Sequence, residues 1–260
     1  MTSESGAVRI SPDEQMLTKA AADLLVQVVG EAIAARGRAD VTLTGGSSPK
    51  ALYHLLASPD YRDKLSWSQI HIWFSDERCV PPTDPLSNYG MANEALLSHV
   101  PIPPQQVHRM RGEDARDGAA RSYEEELRRS FGLEPVSPPE PPALPRMDFI
   151  LLGLGPDGHV ASLFPGIPQL NITDRLVVGV PHDSYPPPPV DRISLTLPVL
   201  CAGAVVAFLV NKADKAGIVA RVLEEVPANP DDRLPAQRVI PTQGQLLWLL
   251  DMAAAGDLHL

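Results

Sequence analysis

Short apolar runs alternate with amphipathic segments along most of this chain, and this alternation restricts its possible folds more than any other feature. The apolar runs have the length and the β-branched content of buried strands, whereas the segments between them have helical spacing. The predicted strands are 40–46, 70–78, 147–155, 175–180, 192–197 and the first parts of 204–225 and 244–255. Alternating strands and helices favour a mostly parallel sheet with helices on both faces, a Rossmann-like α/β fold.

Start and stop signals mark the helical segments. A capping box with proline at the first helical position, Ser11 to Glu14, begins a helix that Gly37 ends. Further helices are predicted at 47–57, with Ser47 or Ser48 as the cap, and at 88–100, with Asn88 as the cap. Helices are also predicted at 115–132, in the second part of 204–225 and in the tail of 244–255.

The length of 260 residues suits one large domain or two small ones, and we expect a single domain over 1–260. Proline-rich segments at 134–146 and 186–190 are predicted surface loops. The net charge of -10 comes without a cluster of Lys or Arg, which argues against a nucleic-acid or membrane partner. We expect no signal peptide, because the N-terminal residues have neither a basic start nor an apolar core, and the two cysteines fit a reduced compartment. We therefore expect a cytoplasmic monomer.

Glycines and charged residues follow four of the predicted strands. These strand ends carry the segments GGS (45–47), SDER (75–78), GPDGH (155–159) and NK (211–212). Ligands of parallel sheets bind beyond the carboxyl ends of the strands. The sequence therefore predicts a ligand site at this edge of the sheet.

The third strand end matches the glycine pattern of a dinucleotide-binding fingerprint, G-x-G-x-x-G, from Gly153 to Gly158. Two features argue against a dinucleotide site here. Pro165 and Gly166 end the segment too early for a full crossover helix, and Asp157 would place a carboxylate beside the pyrophosphate. Two interpretations remain for Asp157 and the following His159. They are either solvated residues of a glycine turn or a carboxylate–imidazole pair that acts as a general base.

The first and last of these strand ends have the residues of an anion site. Gly45, Gly46 and Ser47 lie before a predicted helix, whose free N–H groups attract anions, although an ordinary strand-to-helix turn has the same composition. Lys212 and Lys215 stand near a helix start, where the helix dipole disfavours a cation unless an anion or solvent offsets it.

The second strand end, 75–78, permits either an internal ion pair or a catalytic role. Arg78 is a candidate to stabilise an oxyanion or a carboxylate, with Asp76 or Glu77 orienting it. Arg192, which begins the strand 192–197, is a weaker basic candidate. The other histidines have no metal-ligand spacing between them, so we expect no metal and no cofactor.

Six segments taken together resemble the glucosamine-6-phosphate isomerase/6-phosphogluconolactonase family. They are LTGGSSPKALY, WFSDERCVPPTDPLSNYGM, LLGLGPDGHVASLFPG, RISLTLPVL, LVNKADKA and LLWLLDMAA. The resemblance runs from about Val41 to Ala255, and its DER and GxGxDGHxASLFP blocks are the specific ones. It implies a three-layer α/β fold and hydrolysis of 6-phosphogluconolactone, a phosphorylated sugar lactone, to 6-phosphogluconate in the oxidative pentose phosphate pathway.

The resemblance also implies roles for particular positions. His159 resembles the family's general base, with Asp157 supporting it, and Asp76 and Arg78 match an active-site pair. Gly45, Gly46 and Ser47 resemble the loop on the phosphate side, and Lys212 resembles a phosphate-binding lysine. Arg192 is a further candidate for substrate binding.

Two other functions remain open at this point. A sugar-phosphate deaminase or isomerase of the same fold also uses a glycine turn and an Asp-Gly-His sequence, but those deaminases typically carry Tyr where this chain has Arg78. A non-catalytic sugar-phosphate sensor of this fold usually has a DNA-binding helical module, and no basic helix-turn-helix segment is present in the sequence.

Overall fold

The computed structural model describes residues 6–134, 142–182 and 188–259. Its strands are β1 Ala7–Ser11, β2 Ala39–Leu43, β3 Ile70–Phe74, β4 Asp76–Arg78, β5 Phe149–Leu152, β6 Val177–Val180, β7 Arg192–Leu195, β8 Val205–Val210 and β9 Gln245–Asp251. Its α-helices are α1 Glu14–Arg36, α2 Ser47–Ala57, α3 Pro59–Arg62, α4 Asn88–Ala95, α5 Arg116–Phe131, α6 Leu197–Leu200 and α7 Ala216–Glu224.

Six strands form one sheet in the order β1–β9–β8–β5–β2–β3, and every pair in it is parallel. The chain moves outward from β2 to β3 and later crosses to β5 on the other side of β2. The strand order therefore reverses between β2 and β5, which creates a crevice at their carboxyl ends.

Helices cover both faces of this sheet, as predicted. Successive residues of β5 point to opposite sides: Phe149 and Leu151 join a core with α1, α2 and α4, whereas Ile150 and Leu152 join a core with α5 and α7. Because both faces are buried, the strand is apolar along its whole length rather than alternating. The mostly parallel, three-layer α/β fold is confirmed.

The segment 70–78 is two strands rather than the single one predicted. After Ser75 the chain leaves the parallel sheet, and β4 pairs antiparallel with β7 in a second sheet of order β4–β7–β6. Ser75 links the two sheets, since its N–H donates to the carbonyl of Leu43 and its carbonyl accepts from Leu195. The predicted strands 175–180 and 192–197 belong to this small sheet.

Several local predictions were wrong. Ser11 ends β1, a strand that the sequence did not reveal, and Asp13 caps α1 by accepting a hydrogen bond from the N–H of Met16 at 2.8 Å. Gly46 is the cap position of α2, without a side-chain bond from Ser47 or Ser48. Ser87, not Asn88, caps α4. The predicted tail helix is a series of turns over 252–257.

Parts of both proline-rich loops, 135–141 and 183–187, lie outside the described residues. The described flanks, 142–146 and 188–190, contain neither helix nor strand. No described helix has the length and apolar character needed to cross a membrane.

Candidate functional site

A cavity of about 320 Å³ lies at the carboxyl edge of the parallel sheet, where the strand order reverses. Its walls come from the loops after β2, β5 and β8 and from β4 and β7 of the small sheet. The predicted site residues that line it are Gly45, Gly46, Ser47, Asp76, Arg78, His159, Arg192 and Lys212. The fold thus brings together residues that are up to 167 positions apart in the chain.

Asp157 contacts the imidazole of His159 at its Nδ1 atom. Its Oδ1 lies 2.6 Å from Nδ1 of His159 and also accepts the backbone N–H of that residue at 3.1 Å. A carboxylate can only accept, so Nδ1 carries the proton and Nε2 of the neutral ring keeps its lone pair. This geometry favours the paired interpretation of Asp157 and His159 over the solvated turn.

The pKa of Asp157 reflects this contact. Partial burial raises the pKa of the carboxyl group, but the hydrogen bonds and charge of His159 outweigh burial, and the pKa lies below its usual value. Asp157 is therefore ionised at neutral pH and can accept the N–H of the His159 ring.

Glycines make room for this pair. A Cβ on Gly155 would lie 2.0 Å from Nδ1 of His159, so only glycine lets the ring lie against the loop. Gly158 has φ +81°, a left-handed conformation that favours glycine. No α-helix begins between Gly158 and α6 in the described part of the chain, in keeping with the rejection of a dinucleotide fingerprint.

Asp76 is a buried carboxylate beneath the cavity, with 4% of its surface exposed. It accepts hydrogen bonds from the hydroxyls of Ser162 at 2.7 Å and Ser75 at 3.1 Å, and from the side-chain amide of Asn88 at 3.2 Å. The Ser162 bond connects β4 to the loop that carries His159. Asp76 therefore joins the two halves of the cavity wall.

Glu77 faces away from the cavity and does not orient the guanidinium of Arg78. Its carboxylate accepts the N–H groups of Arg78, Asn88 and Tyr89 and the hydroxyl of Ser87, at 2.7–3.0 Å. Burial raises its pKa, against the lowering effect of these donors. Glu77 thus attaches β4 to the N-terminus of α4.

Two arginines stand directly opposite each other in the β4–β7 pair, Arg78 and Arg192. Nη1 of Arg78 donates to the carbonyl of Leu86 at 2.7 Å, whereas its buried Nε has no partner among the described residues. Burial lowers the pKa of Arg192, the charge of Arg78 lowers it further, and Asp76 raises it. Adjacent like charges destabilise a strand pair, so an anion bound here would offset the repulsion.

The loop after β2 opens toward the same cavity. A Cβ on Gly45 would meet Oδ1 of Asn88 at 2.0 Å, and Gly46 has φ +113°. Gly45 therefore leaves room for the side chain of Asn88, and Gly46 is favoured by its backbone conformation. The loop leads into α2, whose first N–H groups have no acceptor within the helix and are available to an anion.

Lys212 extends from the end of β8 toward this loop, and its Nζ lies 3.5 Å from the hydroxyl of Ser47. Ser48 donates to Oδ1 of Asn211 at 2.6 Å, which ties the two loops together. Lys215, the other predicted cation, donates to the carbonyl of Leu154 at 2.9 Å. Lys212 and the start of α2 therefore lie together at one corner of the cavity.

Sequence reasoning missed the functional setting of Asn88 and Ser162, which hold Asp76 from two sides. Both lie in motifs singled out by the resemblance, SNY and ASLFP, and that was the available signal. Within the described ranges, no group of three or more His, Cys, Asp or Glu side chains is placed to hold a metal ion.

The fold and the cavity define a class: an α/β protein whose parallel sheet presents a His–Asp pair and several cationic groups at its switch point. A model of the glucosamine-6-phosphate isomerase/6-phosphogluconolactonase family matches residues 12–248. This chain belongs to that family.

Individual relatives are similar over nearly the whole chain. The 6-phosphogluconolactonases of Streptomyces coelicolor and Mycobacterium tuberculosis are each 40% identical, over 98% of this chain and 96% and 99% of theirs. The solved structure of 6-phosphogluconolactonase from Trypanosoma cruzi superposes with a TM-score of 0.83 at 25% identity, covering 98% of this chain and 97% of that one.

Proposed function

We infer that this chain hydrolyses 6-phosphogluconolactone to 6-phosphogluconate, a step of the oxidative pentose phosphate pathway. The observation that carries the inference is that His159, bonded to Asp157 at 2.6 Å, lines one cavity with Arg78, Arg192 and Lys212. A lactone with a phosphate needs an activated water, a group for the developing oxyanion and a cationic corner for the phosphate. The relatives named above support the same activity.

In the proposed mechanism His159 activates the water. With Nδ1 bonded to Asp157, Nε2 is the free base that takes a proton as the water oxygen attacks the lactone carbonyl carbon. The imidazolium that forms is stabilised by the carboxylate of Asp157. The bond between the carbonyl carbon and the ring oxygen then breaks, and the imidazolium returns its proton to that oxygen. The product is a hydroxyl and a carboxylic acid, which ionises.

Arg78 is the group we assign to the oxyanion of the tetrahedral intermediate. A half-buried guanidinium that already lines the cavity needs little reorganisation when negative charge develops. At the other corner, the ammonium of Lys212, the hydroxyl of Ser47 and the N–H groups at the start of α2 receive the phosphate. Gly45 and Gly46 carry no side chains that would cover the N–H groups of this loop. Arg192 adds positive charge where β4 pairs with β7. Asp76 holds the two walls in place.

A coupled assay tests the proposal directly. Glucose-6-phosphate dehydrogenase generates the lactone, and its disappearance is followed with and without this protein. His159→Ala is expected to lower kcat by about 100-fold with folding intact, because it removes the base. His54→Ala is the matched control: this exposed histidine lies in the last turn of α2, at the opposite end of the helix from the cavity.

Two results would contradict the proposal. If the protein does not accelerate loss of the lactone, the activity is wrong, and release of ammonia from glucosamine-6-phosphate would point to the deaminases of this fold instead. If His159→Ala keeps a near-normal rate while the wild type is active, the base is wrong. A cytoplasmic monomer stays a prediction, and light scattering after size-exclusion chromatography tests the oligomeric part.

A further inference from the structure

The backbone of Lys212 has a conformation that is unusual for any residue except glycine. Its φ is +79° and its ψ is 149°. In this region the Cβ of an L-residue crowds the backbone, so it is almost exclusive to glycine, and other residues persist there only where the surrounding structure holds them. The chain has a lysine at a position where glycine would be free of strain.

Asp251, the last residue of β9, supplies the restraint. β9 lies beside β8 in the sheet, with Leu250 opposite Val210, so Asp251 ends next to the loop that Lys212 begins. Both carboxylate oxygens of Asp251 lie 3.2 Å from the backbone nitrogen of Lys212, which donates to them. Asp251 is only 5% exposed, so water does not compete for this bond.

The carboxylate is itself held in place. Oδ1 of Asp251 also accepts the N–H of Ala254 at 2.7 Å, within the turn that follows β9. The neighbouring Asn211 is tied to Ser48 at the start of α2. The backbone at 211–212 is thus attached to two elements. The side chain of Lys212 extends to the hydroxyl of Ser47 and lines the cavity.

We propose that Asp251 is a positioning residue for phosphate recognition: it holds the strained backbone of Lys212 so that the ammonium faces the first turn of α2. The proposal rests on the phosphate role given to Lys212 under the proposed function. It assigns Asp251 no contact with substrate. Its effect is expected on the affinity for the phosphorylated end and not on the chemistry at the lactone carbonyl.

The rival explanation is that Asp251 only stabilises the turn after β9 through Ala254. A purely structural role would lower the melting temperature without changing the affinity for phosphate. Asp148 offers a matched control, because it is a buried carboxylate that accepts a backbone N–H, that of Asp40 at 2.9 Å. It precedes β5 at the amino edge of the sheet, opposite the cavity.

The experiment compares Asp251→Ala, Asp251→Asn and Asp148→Ala with the wild type in the lactone assay. Asp251→Ala is expected to raise KM by about tenfold with kcat within about twofold, since only binding of the phosphate is weakened. Asp251→Asn keeps Oδ1, which accepts both N–H groups, so its KM should return toward the wild-type value. Asp148→Ala should lower the melting temperature and leave KM unchanged.

Binding of 6-phosphogluconate, measured by calorimetry with gluconate as the unphosphorylated probe, separates this inference from the proposed activity. Asp251→Ala should weaken binding of 6-phosphogluconate and leave gluconate unaffected, even if the wild type hydrolyses no lactone. In a Lys212→Ala background the same change should have less than about a twofold effect, because the two residues act as a unit. An unchanged affinity in Asp251→Ala, or an equal loss in the Lys212→Ala background, overturns the proposal.

Discussion

Replacement of Gly155 by alanine is expected to disable the site while leaving the fold intact. The new Cβ would lie 2.0 Å from Nδ1, 2.2 Å from Cε1 and 2.6 Å from Cγ of His159. Ordinary contact begins near 3.4 Å, so the ring must retreat by roughly 1.4 Å. That movement breaks the 2.6 Å bond to Asp157, because the carboxylate is held in the same short loop.

The size of the effect follows from this displacement. A misplacement of about 1 Å in a catalytic group lowers rates by about 100-fold, which corresponds to about 2.7 kcal/mol in the activation free energy. Gly155 does not have a positive φ, so alanine is compatible with its backbone. The lost hydrogen bond outweighs the restriction that alanine places on the unfolded chain, so the free energy of unfolding should fall by about 1 kcal/mol.

The assay is kcat for lactone hydrolysis at saturating substrate, together with urea unfolding. Gly153→Ala is the control, since a Cβ there would have its nearest neighbour, the carbonyl oxygen of Gly45, at 4.0 Å. This variant should keep kcat within about threefold of the wild type. If Gly155→Ala retains wild-type kcat and stability, the imidazole does not need its contact with Asp157, and the argument for a positioned base fails.

Two further predictions concern polar side chains away from the His159 loop's surface. Ser162→Ala removes the 2.7 Å hydrogen bond to the buried carboxylate of Asp76 and should lower the free energy of unfolding in urea by about 2 kcal/mol; a change below about 0.5 kcal/mol would show that Asp76 does not depend on it. His71 lies 2.9 Å from His108, and burial, followed by the charge of Arg38, lowers its pKa from 6.5 to about 4. Stability that is present above pH 6.5 should therefore be lost as the pH falls toward 4, and His71→Asn should show a smaller drop in melting temperature between pH 7.5 and 5 than the wild type.

The chemistry of the His–Asp pair was predictable because it is local. Asp157 and His159 are two residues apart, and the glycines around them restrict the turn, so the carboxylate has few partners other than the imidazole. The position of 45–47 at a helix start with free N–H groups was also predictable, because a glycine turn leads into the helix there. Neither inference needed knowledge of the rest of the fold.

The partners of Asp76 and Lys212 were not predictable in the same way. Asp76 meets Asn88, 12 residues away, and Ser162, 86 residues away, while Lys212 meets Asp251, 39 residues away. Many Ser, Asn and Asp side chains in the chain could fill such roles, and nothing in their local sequence distinguishes them. The end of the single strand predicted for 70–78 was missed for a similar reason, since the carbonyl of Ser75 accepts the N–H of Leu195, a residue distant in the chain.

The sequence by itself determined the alternation of strands and helices, the edge of the sheet where charged residues collect and the contact between Asp157 and His159. All of these depend on residues that are close together in the chain. The tertiary structure decided the strand order, the separation of β4 from β3 and the meeting of the His159 loop with the Lys212 corner. The physical reason is that contacts between distant residues form only when helices pack against both faces of the sheet at once. That packing is a property of the whole chain and of no single segment.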